Sequence, residues 1–148
     1  MPVRRYFILR GLLLALASVV ATNPNTISAS TIGIYTDESG DYCSFAGNAP
    51  GMITAYVVIK PDQAGIRGAQ FAVEIPPCLG ATHLYDIVPD GVSGLGSSPA
   101  GISISYPFCA SEQALALTIN YYRGGSTSAC CEVPIVAHPF VGSVDATD

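Results

Sequence analysis

The chain has 148 residues and a formal net charge of −5, with 49 % apolar and only 11 % charged residues. That is long enough for one domain with its own core and too apolar for a disordered chain. Fifteen glycines, eleven prolines and no tryptophan favour many short strands joined by tight turns, an all-β class.

The N-terminal stretch "MPVRRYFILRGLLLALASVVA" sets Arg4, Arg5 and Arg10 ahead of an apolar run from Gly11 to Val20, the layout of a secretory signal peptide. Its apolar part is about half of what a membrane-spanning helix needs, so a cleaved leader fits better than an anchor. Cleavage fits after Ala21 or Ala29, and the second site lets "TNPNTIS" act as a polar spacer. The expected organisation is a signal peptide over 1–29 and one β-sandwich domain over 30–148, secreted or periplasmic. Without the leader, Lys60, Arg67 and Arg123 stand against eleven carboxylates, a net charge of −8. Such a chain cannot neutralise a run of phosphates, which excludes nucleic acid and, after leader cleavage, a membrane surface as partners.

Beyond the leader, apolar and polar residues alternate with period two. The first predicted strand is "TIGIYT" (31–36). The second, "ITAYVVIK" (53–60), sets Ile53, Ala55, Val57 and Ile59 on one face. In "RGAQFAVEIP" (67–76), Ala69, Phe71, Val73 and Ile75 point inward. "THLYDIV" (82–88) follows, then "GVSGLGSSPAG" (91–101), read as a flexible loop, and "GISISYP" (101–107). "ALALTINYY" (114–122) sets Leu115, Leu117, Ile119 and Tyr121 together; a helix could begin at "SEQALALTI", but β-branched and aromatic residues follow at once and favour the strand. The last run, "CEVPIVAHP" (131–139), contains Pro134, which argues for an edge strand or a bulge. About seven strands with one apolar face each are most simply buried as a single antiparallel sandwich, jelly-roll or immunoglobulin-like.

The succession "AYVVIKP", "DQAGIRGAQ", "AQFAVEIPP", within residues 53–80, resembles the first half of a cohesin-like module, a secreted bacterial β-sandwich related in shape to carbohydrate-binding modules. The resemblance implies a nine-stranded sandwich whose outer sheet face engages a partner, with no catalytic site. No binding residue is carried over from it, because this chain has five cysteines and no dockerin or anchoring segment.

In an exported chain Cys43, Cys78, Cys109, Cys130 and Cys131 are candidates for disulfides. The stretch "CASEQALALTINYYRGGSTSACC" reads as one strand flanked by turns, which predicts a bridge from Cys109 to Cys130 or Cys131, with Cys43 and Cys78 as the remaining candidates. Zinc would need Cys130 and Cys131 to join Cys109, His83 or His138, but adjacent cysteines do not easily turn toward one ion; no metal and no cofactor is expected. The acidic turn "TDESGDYC" (36–43), with Asp37, Glu38 and Asp41, lacks the spacing of a calcium loop.

Catalytic arrangements are thin, and no catalytic residue is assigned. "GSSPA" (96–100) spells a nucleophile elbow without the strand and helix that motif requires. Neither His83 nor His138 has an evident nucleophile, and Glu74 and Glu132 could as well be solvated. Tyrosine offers a flat apolar face with a polar tip, suited to stacking on sugars or anchoring an interface, although it also fills cores. Tyr56 and Tyr122 are the candidate binding residues, since they point away from their strands' aliphatic faces. The expected function is a non-catalytic extracellular module for binding, adhesion or assembly with a glycan or protein partner. The alternatives are a self-associating envelope or filament subunit, with an exposed edge near Pro134, and a small secreted hydrolase.

Overall fold

The computed structural model describes residues 30–62, 64–128 and 131–147, without the side chains of 145–147. The leader reading therefore lies outside the described residues. Nine strands run along the described chain: β1 (Thr31–Tyr35), β2 (Gly51–Lys60), β3 (Ile66–Val73), β4 (Ala81–Ile87), β5 (Ser93–Ser97), β6 (Gly101–Ala110), β7 (Ala114–Arg123), β8 (Ile135–Val136) and β9 (Asp145–Thr147). The helical element among them is one 3-10 turn, Pro77–Leu79, so no described helix could cross a membrane.

All pairings are antiparallel. One sheet has the order β1-β2-β7-β4; the other runs β5-β6-β3-β8, with β9 also on β3. Between them lies the core, in which Ala55, Val57 and Ile59 of β2 and Leu117, Ile119 and Tyr121 of β7 share one cluster with Ala69, Phe71 and Val73 of β3 and Ile102, Ile104 and Tyr106 of β6. These are the alternate residues of each strand, so the period-two pattern is the cause of the layering. The 114–122 segment is a strand, as β-branched Thr118 and Ile119 and the tyrosine pair after them favour.

The structure corrects three sequence readings. Residues 91–101 are not a loop throughout: Ser93–Ser97 pairs with Gly101–Ser105 as a hairpin. Its glycines hide the pattern, because backbone hydrogen bonds to β6 hold the strand without side-chain alternation. The last run is an edge strand at Pro134, as expected, but of residues 131–139 only Ile135–Val136 is paired. β9 has no apolar alternation to announce it and is set by pairing with Gly68, Ala69 and Gln70 of β3.

The third correction concerns the cysteines. Cys131 is bridged to Cys78, with their Cα atoms 5.6 Å apart, and not to Cys109, whose thiol donates to Ala64 O. Cys130 lies outside the described residues. A ten-residue strand spans roughly 33 Å, so β7 carries the chain from the Cys109 end of the sandwich to the opposite end. There the backbone docks on the 3-10 turn: Gly124 N donates to Gly80 O, Ser128 N to Cys78 O and Thr127 Oγ1 to Leu79 O. Cys131 thus reaches Cys78.

Candidate functional site

Directly opposed residues of antiparallel strands point to the same face. In the β1-β2-β7-β4 sheet, Tyr35 opposes Tyr56; Tyr56, Thr54 and Met52 oppose Thr118, Asn120 and Tyr122; and Ile87, Tyr85 and Thr82 oppose the same three β7 residues from the other side. These residues alternate with the core residues Ala55, Val57, Leu117, Ile119 and Tyr121, so they form the outer face. Three rows about 7 Å apart across four strands make a patch roughly 14 Å on a side.

Tyr56 and Tyr122, the two candidates from the sequence, both lie on this face; Tyr122 is 49 % exposed and Tyr56 is half-buried. The structure adds Tyr85, 50 % exposed, and Tyr35. A register shift between His83 and Tyr85 inverts the alternation of β4, turning His83 inward against Tyr121 and Tyr85 outward beside Asn120. Tyr35 lies over Gly33, where a Cβ would stand 2.8 Å from its ring; the missing side chain lets the ring lie along the sheet. Lys60 Nζ sits 5.2 Å from the centre of that ring and donates to Gly40 O, which ties its charge to the margin of the patch. Thr54 Oγ1 donates to Asn120 Oδ1 at 3.0 Å, fixing the amide in the middle of the face.

Among the described residues, no carboxylate points from these rows. Asp37, Glu38 and Asp41 lie in the loop after β1, and Asp86 opposes Ile119 and faces inward. The chain is strongly acidic, yet apart from Lys60 at its margin this face presents phenol, hydroxyl, amide and apolar groups.

No family model and no curated protein matches the chain. A search of solved structures finds the sixth cohesin of scaffoldin B from Acetivibrio cellulolyticus, solved in complex with a mutant Cel5 dockerin, at 10 % identity and a TM-score of 0.47, over 82 % of this chain and 94 % of that one. In fold, this chain is similar to a cohesin.

The other sequence candidates are placed apart from the patch. His83 Nε2 stands 2.9 Å from Asp86 Oδ1, while Ser98, of the "GSSPA" motif, donates its hydroxyl to Asp86 Oδ1 at 2.8 Å and its N–H to Oδ2 at 2.6 Å. The carboxylate stands between imidazole and hydroxyl, so the base that would activate Ser98 is not the group touching it. Ser98 is also 1 % exposed. The cluster clamps the β5–β6 turn to β4. Nearby, the Tyr121 hydroxyl is buried without a hydrogen-bond partner. Its pKa is pushed well up, first by burial and then by the Asp86 charge.

His138 is buried in its own turn, where Nδ1 accepts from Phe140 N. Asp37 accepts from Tyr42 N at 2.7 Å, Asp41 N at 3.2 Å and the Ser39 hydroxyl; these bonds, led by the Ser39 one, hold its carboxyl below the usual range. Among the described residues, no three His, Cys, Asp or Glu side chains converge on a metal position. Glu74 is exposed just past β3. Glu132 instead lines a cavity of about 440 Å³ beside the disulfide, with Ile34, Cys43, Phe45, Cys131 and Val133 among the other walls.

Proposed function

We propose that the mature chain is an extracellular, non-catalytic binding module whose tyrosine face holds a neutral glycan chain. One observation carries this reading: on one sheet face Tyr85 and Tyr122 are exposed and Tyr56 is half-buried, beside the hydroxyls of Thr54, Thr82 and Thr118, and no described carboxylate lies among them. Tyrosine rings stack on the apolar faces of sugar rings, while Thr54, Thr82 and Thr118 can exchange hydrogen bonds with sugar hydroxyls; Asn120, buried and bonded to Thr54, holds the middle of the face in place. A strand-built face keeps these groups at fixed spacing, so little ordering entropy is lost on binding. A patch without a described carboxylate, with Lys60 at its margin, favours a neutral ligand over a cationic one.

The test is affinity electrophoresis in gels containing neutral polysaccharides (β-glucan, xylan, galactomannan) or an anionic one (polygalacturonate). A neutral polymer should retard the protein, and Tyr122→Ala and Tyr56→Ala should each weaken that retardation roughly tenfold, one stacking ring being lost in each. The circular dichroism of both variants should match the parent. No retardation by any neutral polymer, or equal retardation of the double variant, would refute the reading.

A further inference from the structure

Among the described residues, nothing pairs with the β5 edge of the second sheet. β5 is terminal in its sheet, with β6 on one side and no described strand on the other. The other described edges are short or protected: β8 is two residues long and follows a proline, β9, also on β3, is three residues long, β4 is bulged at Leu84, and β1 runs into the acidic turn at Asp37, Glu38 and Asp41. Free edges normally carry charge, proline, a bulge or a cover, because their unpaired N–H and C=O groups otherwise template another strand. In "SGLGS" there is no charge and no proline. Ser93, Gly94, Leu95 and Gly96 are all exposed, and Leu95, at 79 %, is among the most exposed apolar residues described.

The same five residues read identically in both directions. A two-fold interface requires each surface to be complementary to itself. When two antiparallel β5 strands meet with Leu95 opposite Leu95, each Gly94 faces Gly96 of the second copy and each Ser93 faces its Ser97. The two Leu95 side chains then fall on one face at the dyad, close enough to bury one another. Charge points to the same occupant. Neither β5 nor its neighbour β6 contains an ionisable acid or base other than Tyr106 and Cys109, so two copies of an acidic chain can approach here without opposing carboxylates.

We infer that this edge is a self-association site, at which β5 of a second copy pairs antiparallel about Leu95 and joins the two β5-β6-β3-β8 sheets into one. The edge is short, so the pair is transient and concentration-dependent. Sedimentation velocity on the mature chain, with free thiols alkylated so that disulfide exchange contributes nothing, tests it over a concentration series. The weight-average mass should rise toward twice the monomer mass. Leu95→Lys should stay monomeric throughout while keeping the parent circular dichroism, whereas Tyr122→Ala should associate like the parent, which separates this result from the glycan reading. A parent chain that remains monomeric at its solubility limit, or a Leu95→Lys chain that associates as strongly as the parent, would overturn the inference.

Discussion

Asp86 is the residue on which most of the polar order inside the sandwich depends. It accepts both polar hydrogens of Ser98 and stands within hydrogen-bond distance of His83, at a site where water is excluded from Ser98. Removing one partner of a buried bond leaves the other desolvated and unmade, which costs more than the bond contributes net. Asp86→Ala should therefore lower unfolding stability by about 3 kcal/mol, read in urea denaturation. Tyr121 is the opposite case, because its buried hydroxyl has no partner to lose. Tyr121→Phe should leave stability unchanged or raise it by about 1 kcal/mol; a loss comparable to that of Asp86→Ala would mean the hydroxyl is bonded in solution.

Tyr106 supplies a pH dependence. Burial pushes its phenol up to about 12, while an unfolded tyrosine ionises near about 10. The folded state holds this proton more tightly, so the contribution to stability is complete below about pH 10 and is lost as pH rises through about 12. Chemical denaturation between pH 9 and pH 12, about the span of the two values, should show the midpoint falling along the upper part of that range, and Tyr106→Phe should flatten the fall.

At the level of elements, legibility follows from how each strand is held. β2, β3 and β7 are held by apolar alternation, so their positions, most of their inward residues and the outward Tyr56 and Tyr122 could be read from the chain; the exception is Leu115, expected inward, because a register shift beside Val57 and Val58 puts Ala116 in the core instead. Tyr85 could not, because the bulge in β4 reverses its parity and nothing in "THLYDI" marks it. β5 and β9 are held by backbone pairing alone, which leaves no periodic signal in "SGLGS" or "DAT". The disulfide was illegible for a different reason: its partners are decided by which end of the sandwich each strand delivers the chain to, and that depends on how strands are assigned to sheets. The bridge closes a loop with a sequence separation of 53 residues, for which chain entropy predicts about 4 kcal/mol. Cys78→Ser should show a loss of that size, and non-reducing peptide mapping should recover Cys78 and Cys131 in one cross-linked species.

Among the described residues, the cavity beside the disulfide and the tyrosine face imply different ligands. The cavity beside the disulfide would take a small apolar molecule at one end of the sandwich. The tyrosine face would take an extended chain across the strands of the other sheet, and charge separates the two, since Glu132 lines the cavity while the face has no carboxylate. Backbone amide mapping by NMR during titration with a soluble neutral β-glucan oligosaccharide measures the choice directly. The account predicts shifts concentrated at Thr54, Tyr56, Tyr85, Asn120 and Tyr122 with the amides of Ser44, Phe45 and Val133 unmoved; shifts confined to those cavity residues, or no shifts at saturating oligosaccharide, would contradict it.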